Sequence, residues 1–462
     1  MQVMKMNGSP ALAVLVCVFC VTSGQPAADE ITSLPGVSGS LSSRQYSGYL
    51  RASGTIKLHY WFVESERDPE NDPLVLWMNG GPGCSSLDGY LSELGPYQVN
   101  DDGMTLRANK YSWNQVANVI FLEAPAGVGF SYSDDKNYTT NDDETAENNY
   151  LALLDFFKKF PNMANKPFFI TGESYGGIYV PTLSVRVMAN ASINFKGFAI
   201  GNGLLDTYLN TETAVYYAYY HGIIGEDIWA KLQKYCCTNG SCSFVTPPNK
   251  QCSLALMETQ DFTMNKGLNP YDVTGDCAGG VPSDSFKERT RQVLSYFFEP
   301  PHPKQPLKNK VSGSLDSNNI IPCINTTAEN NYLNRPEVRK ALHIPDVVPK
   351  WKVCSVLDYH RVYNSMRAQF NALLPKHRGL VYNGDADIMC NFLGDQKFVA
   401  SLKRTERGER RPWIYNQQVA GFVKDYDQVT FMTVKAAGHM VPSFKPGASL
   451  QMITNFLSNQ PQ

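Results

Sequence analysis

The chain has 462 residues, 43% hydrophobic and 18% charged, with a formal net charge of −2. That length can bury one large core plus a substantial insertion. The near-neutral balance gives no basis for nucleic acid or an anionic membrane as partner.

The N-terminus reads as a secretory signal. MQVMKMNGSP is a short basic start, ALAVLVCVFCV is apolar and TSG supplies small residues. The run is too short to span a bilayer comfortably, and cleavage is expected near Gly24, making 1–24 the signal. No later stretch is apolar enough to cross a membrane, so a soluble mature protein is expected.

Residues 25–205 alternate strand-like and helix-like stretches. GYLRASGTIKLHYWFVES predicts a hairpin, and PLVLWMN, ANVIFLEAP, KPFFITG and FKGFAIGNG predict short buried strands. Between them NDDETAENNYLALLDFFKKFP has an acidic start and a Leu/Phe face at helical spacing, closed by Pro161. This order predicts an α/β fold, a mostly parallel sheet covered by helices.

The alternation stops over 206–323, a stretch rich in cysteine with the Pro-rich piece EPPHPKQP. It is expected to form an inserted cap, with about 285–315 as a protease-sensitive loop. The second part of the core, 324–462, resumes with RPEVRKALHI as helix, RGLVYNG and QVTFMTVKAAG as strands and PGASLQMITNFLSNQ as closing helix.

Eleven cysteines less Cys17 and Cys20 of the signal leave an odd nine. In an oxidising compartment that predicts four disulfides and one free thiol. CCTNGSC lacks the paired spacing of a zinc site, and neither metal nor cofactor is expected. Sequons at Asn137, Asn190, Asn239 and Asn325 fit the same pathway, with Asn137 and Asn325 expected to carry glycan.

The chemistry centres on Gly172-Glu173-Ser174-Tyr175-Gly176, the G-x-S-x-G of a nucleophile elbow, with an apolar strand before it and a helix after. Ser174 needs a base, and of seven histidines only His439, in VTFMTVKAAGHMVP, follows a strand and a glycine near the C-terminus. That is the base's place in the chain order Ser, acid, His. The acid should follow an intervening strand, where RGLVYNGDADIMC offers Asp385 and Asp387; spacing does not choose between them. Two backbone donors should hold the oxyanion: the N–H of Tyr175 and one from the glycine-rich loop Asn79-Gly80-Gly81-Pro82-Gly83.

Together WMNGGPGCSSLDGYLSELGP, FLEAPAGVGFSYS, GESYGGIYVP, GDADIMCN and AGHMVP resemble the serine carboxypeptidases over nearly the whole mature chain. One departure is Gly176-Gly177, where GESYAG is the commoner form. The resemblance implies an α/β-hydrolase fold with Asp387 as the catalytic acid and Gly81 as partner of Tyr175 in the oxyanion hole. It implies that Trp77, Asn79, Gly80, Glu93 and Glu173 bind the free carboxylate of the peptide. It also implies the disulfides Cys84–Cys354, Cys236–Cys252, Cys237–Cys242 and Cys277–Cys323, with Cys390 left as a free thiol near the site.

For activity, the resemblance implies removal of C-terminal residues from peptides, after processing of a precursor. It further implies a homodimer, a lysosomal address reached by the secretory pathway or else secretion, and, for an animal member, association with lysosomal β-galactosidase and neuraminidase. Glu173 beside the nucleophile then has a physical reading. Two close carboxyls with little water hold a proton above the usual carboxyl range and so can donate to a substrate carboxylate, which favours acidic pH. An esterase or acyltransferase shares the elbow and triad but has no use for such a pair, and a purely protective scaffold would not need Ser174.

Overall fold

The computed structural model describes residues 26–281 and 321–462. The expected signal at 1–24 and the cleavable stretch at 285–315 lie outside the described residues. The described chain opens with the antiparallel hairpin β1 (Gln45–Arg51) and β2 (Ile56–Val63). Strands β3 (Leu74–Met78), β4 (Asn118–Leu122), β5 (Phe168–Ser174), β6 (Phe195–Gly203) and β7 (Arg378–Gly384) follow. A second hairpin, β8 (Arg411–Tyr415) and β9 (Gln418–Tyr426), leads into β10 (Val429–Val434).

All lie in one sheet, in the order β1-β2-β4-β3-β5-β6-β7-β10-β9-β8. From β4 to β10 every neighbouring pair is parallel. The hairpins at the two ends pair antiparallel. The mostly parallel expectation therefore holds for the centre. The β8–β9 hairpin, which the sequence reading did not identify, carries exposed Ile414 and Phe422 at the sheet edge.

The central strands carry apolar side chains on both faces because both faces are covered, and their buried polar residues gather toward the C-terminal ends. On β5, Phe168 and Ile170 enter the core beneath α1 (Asp142–Lys159) and α2 (Gly176–Met188), with Phe156 and Leu183. Phe169 faces the other way, into a core with Met452 and Ile453. Helix α1 starts where its composition requires: the Asn141 side chain accepts from Glu144 N (2.9 Å), acids fill the first turn and Lys158 and Lys159 the last.

Three helices follow residue 206: α3 (Thr207–Tyr220), α4 (Glu226–Cys236) and α5 (Lys250–Gln260). They enclose a small core of their own with Tyr217, Trp229, Leu232 and Phe244, stapled by Cys236–Cys252 and Cys237–Cys242. Helix α3 rests on the main body, where Asn210 Nδ2 donates to Met389 O (2.8 Å) and Thr213 Oγ1 bonds Asn391 Oδ1 (2.8 Å), the N-cap of α6 (Phe392–Ser401). Helix α7 (Pro446–Leu457) closes the chain. Among the described residues no helix is long and apolar enough to cross a membrane.

Candidate active site

The turn from β5 into α2 holds Ser174 at φ +60°, a left-handed conformation that non-glycine residues seldom adopt. Close packing with β6 keeps this turn tight. A Cβ on Gly177 would stand 2.5 Å from Leu204 N, so that position must stay glycine. A Cβ on Gly176 would meet only Met78 O at 3.1 Å, which explains why an alanine can stand there in the commoner form of the motif.

The glycine-rich loop after β3 leans directly on the elbow. A Cβ on Gly80 would lie 2.3 Å from Tyr175 N and 2.7 Å from Ser174 Cβ. Gly81 follows at φ +110°. The loop is stitched to residues 353–355 by Ser85 N→Val353 O (2.7 Å), Ser355 N→Gly83 O (2.8 Å) and the Cys84–Cys354 disulfide. Ser85 also donates to Glu123 Oε1, which accepts from Trp351 Nε1 (2.8 Å) as well.

His439 and Asp387 meet at the C-terminal ends of β10 and β7. His439 Nδ1 lies 2.7 Å from Asp387 Oδ2, and both groups are buried. Asp387 also accepts from Met389 N (2.9 Å), Cys390 N (3.1 Å) and Asn202 Nδ2 (2.9 Å). Asp385, the alternative acid, instead accepts from Ala436 N (2.6 Å) and braces the turn. The segment that follows α5 reaches in too: Tyr271 O accepts from His439 N (2.7 Å) and its ring sits edge-on to the imidazole at 5.3 Å.

The other described histidines stand elsewhere. His59 is sealed between Glu123 and Ser47, His221 stacks on Tyr217, and His377 leans on Phe195.

Beside the elbow lies a carboxyl pair. Trp77 Nε1 donates to Asn79 Oδ1 (2.7 Å), which turns Asn79 Nδ2 toward Glu173 Oε1 (3.0 Å) and Glu93 Oε1 (3.2 Å). Both glutamates are buried. Burial above all raises the pKa of each; the charge of Asp88 adds to the effect on Glu93, and those of Glu93 and then Asp88 add to that on Glu173. The group suited to form here is a protonated carboxyl, a donor for an anionic ligand.

Cys277–Cys323 completes the four disulfides, and Cys390 is a free, buried thiol. Burial, and then the charge of Asp387, holds that thiol well above the usual range, which makes it a poor nucleophile. Asn137 and Asn325 are exposed. The sequence reading missed Asn202, Tyr271 and Asp88. The GNG at the end of FKGFAIGNG is the one signal that could have marked Asn202.

Residues 35–459 match the family model described as serine carboxypeptidase. The chain belongs to the serine carboxypeptidase family. It is 49% identical to the mouse "Lysosomal protective protein", covering 98% of each chain. It is 41% identical to the Caenorhabditis elegans "Serine carboxypeptidase ctsa-4.1", covering 96% of this chain and 95% of that one. Among solved structures, the prohormone-processing carboxypeptidase Kex1(delta)p of Saccharomyces cerevisiae superposes with a TM-score of 0.72 at 22% identity, covering 94% and 96%. The shared fold is that of the α/β-hydrolases, and as a serine carboxypeptidase the protein is a hydrolase.

Proposed function

We propose that this serine carboxypeptidase removes C-terminal residues from peptides at acidic pH through an acyl-enzyme on Ser174. The observation that carries the reading is the Asn79-bridged pair Glu93–Glu173, buried one residue from the nucleophile. In this reading the free carboxylate of the peptide accepts hydrogen bonds from the protonated pair and from the Gly80 region, placing the last peptide carbonyl over Ser174.

Ser174 Oγ adds to that carbonyl carbon while His439 takes the hydroxyl proton. The oxyanion is held by the N–H groups of Gly81 and Tyr175. His439 then gives the proton to the departing amine, the C–N bond breaks and the last residue leaves. Water, deprotonated by His439, attacks the ester and restores Ser174. Asp387 holds the imidazole in the required tautomer and orientation throughout. An esterase would share this machinery, but the carboxyl pair favours a substrate with a free acid.

The sign of the pH dependence follows from the raised pKa of the pair. Below it the pair donates to the substrate carboxylate; above it the pair is anionic and repels the same group. KM for free-acid peptides should therefore rise with pH, and in Glu173→Gln, whose amide stays a donor, the rise should be much flatter while Ser174 still reacts with a phosphonylating agent. An undiminished rise in the mutant overturns the reading.

An acidic working range suits a lysosomal setting, consistent with the name of the mouse relative. The association with β-galactosidase and neuraminidase, and the homodimer, extend the same likeness. Both are tested by sedimentation of Ser174→Ala with and without those enzymes, since neither should need the nucleophile.

A further inference from the structure

The register of three strands places one more side chain against the carboxyl pair. Glu173 on β5 pairs with Gly201 on β6, and Gly201 pairs with Tyr382 on β7. Residues paired laterally point to the same face of a sheet, so Glu173, Gly201 and Tyr382 form one row. The row continues at Asn79, next after the Met78–Gly172 pair, and Asn79 touches Glu173. Glu173 thus has Asn79 on one side and, across a glycine, Tyr382 on the other.

The glycine decides where the tyrosine ring lies. A Cβ on Gly201 would stand 2.6 Å from Tyr382 Cε2 and Cζ and 2.7 Å from Oη. The far end of the phenol therefore lies over the middle strand. Two strand spacings are roughly 9–10 Å, so the hydroxyl stands about halfway from β7 to Glu173 on β5. Tyr382 is 1% exposed and its Oη has no hydrogen-bond partner among the described residues. Glu93 on the far side of Glu173 is already held by Asn79 and by Glu173 itself. A buried donor without a partner is costly, and since Tyr382 Oη makes no direct bond to the pair, one bridging water is the partner that would satisfy it.

We propose that Tyr382 is a positioning residue of the carboxylate-recognition site, its hydroxyl donating across Gly201 to a water that bridges to the Glu93–Glu173 pair. The phenol stabilises the ionised pair relative to the protonated one and fixes the orientation in which the pair meets substrate. Gly201 is glycine because the ring must cross it. The charges of Glu173 and Glu93 reach Tyr382 and, with burial as the larger cause, push its pKa well above the usual range, so the phenol stays a donor. The other titratable groups around the pair are Asp88 on the turn before Glu93, Asp387 beyond β7, and the buried thiol of Cys390. None of these is altered by the substitutions below.

The inference rests on the carboxylate-reading role of the pair, and Tyr382→Phe tests it separately. That substitution removes one oxygen and keeps the ring. Loss of a donor to the ionised pair raises the pair's pKa, so the pH at which KM for a free-acid peptide begins to rise should move upward by about one unit. The displacement should be absent with the same peptide amidated at its C-terminus. Gly201→Ala, which pushes the ring away, should move the break in the same direction, and thermal melts of both variants show whether the fold is intact.

A folded Tyr382→Phe whose KM break stays at the wild-type pH overturns the inference, as does equal displacement for the amidated peptide. If instead Glu173→Gln keeps the full wild-type dependence, the reading of the pair itself is what fails.

Discussion

Asn202 shows how much one residue can set. It is fully buried at φ +38°, a conformation asparagine tolerates better than most residues. Its Oδ1 accepts from Gly384 N (2.9 Å), which leaves Nδ2 to donate to Asp387 Oδ2 (2.9 Å). Asn202 thereby fixes the oxygen that orients His439. Asn202→Asp keeps shape and backbone preference but faces Asp387 with an acceptor. One hydrogen bond to a charged group is worth about 1.5–3 kcal/mol, so kcat should fall on the order of 10–100-fold. The loss should deepen as pH rises and the new carboxyl ionises. Steady-state kcat between pH 5 and 7 checks this; a uniform loss across pH would leave Asn202 a packing residue. The proposed nucleophile, base and oxyanion loop stand out in the sequence because each sits at a strand end beside glycine. Asn202 and Tyr382 do not, because their roles depend on which strands become neighbours, and β6 and β7 are far apart in the chain.

The loop that carries Gly80 and Gly81 has no regular structure of its own, so other elements must hold it. The Glu123 side chain, just past β4, gathers them. Its Oε1 accepts from Ser85 of the loop and from Trp351, its Oε2 from Phe130 N (2.9 Å), and it meets His59 of β2 at 2.8 Å. His59 in turn bonds Ser47 of β1 (2.8 Å). Two strands and two loops therefore depend on one buried carboxylate. Glu123→Gln turns an NH2 group toward some of these donors at unchanged volume. Breaking such a buried network costs about 3–5 kcal/mol. Thermal unfolding should show the loss, and the freed loop should lower kcat for peptide and ester substrates alike. An unchanged melting temperature would show that the network is dispensable. At this scale the sequence resolved the central strands well, since continuous apolar runs between turns mark them. The β8–β9 hairpin escaped because its exposed, mixed residues lack a clear alternating pattern.

For the whole molecule, the alternation of strands and helices was enough to indicate the mostly parallel sheet, while the packing of α3 on α6 was hidden. Also hidden were two more carboxyls with raised pKa, buried Glu329 and half-buried Asp88. Glu329, on the helix Thr327–Leu333, is 8% exposed, and its Oε2 has no partner among the described residues. Burial and then the charge of Asp88 push its pKa up to about 7; burial pushes Asp88 itself up to about 6. A carboxyl with a raised folded pKa keeps its proton after the unfolded chain has released one. Its contribution to stability is full below the unfolded value near 4.5 and is lost as pH climbs through the folded value. For Glu329 the loss amounts to about 3 kcal/mol between roughly pH 4.5 and 7. Glu93 and Glu173 act in the same direction. His377, lowered by burial, opposes them because its contribution grows as pH rises through its range. The lowered carboxyls Asp68, Asp102 and Asp135 titrate below this window. Several raised carboxyls outweigh one histidine, so the protein should be most stable near pH 5 and lose stability toward pH 7.5. Denaturant unfolding across that range measures the slope. Glu329→Gln, uncharged in both states, should flatten it; a wild-type slope that is zero or rises with pH would show that these carboxyls are ionised in the folded protein.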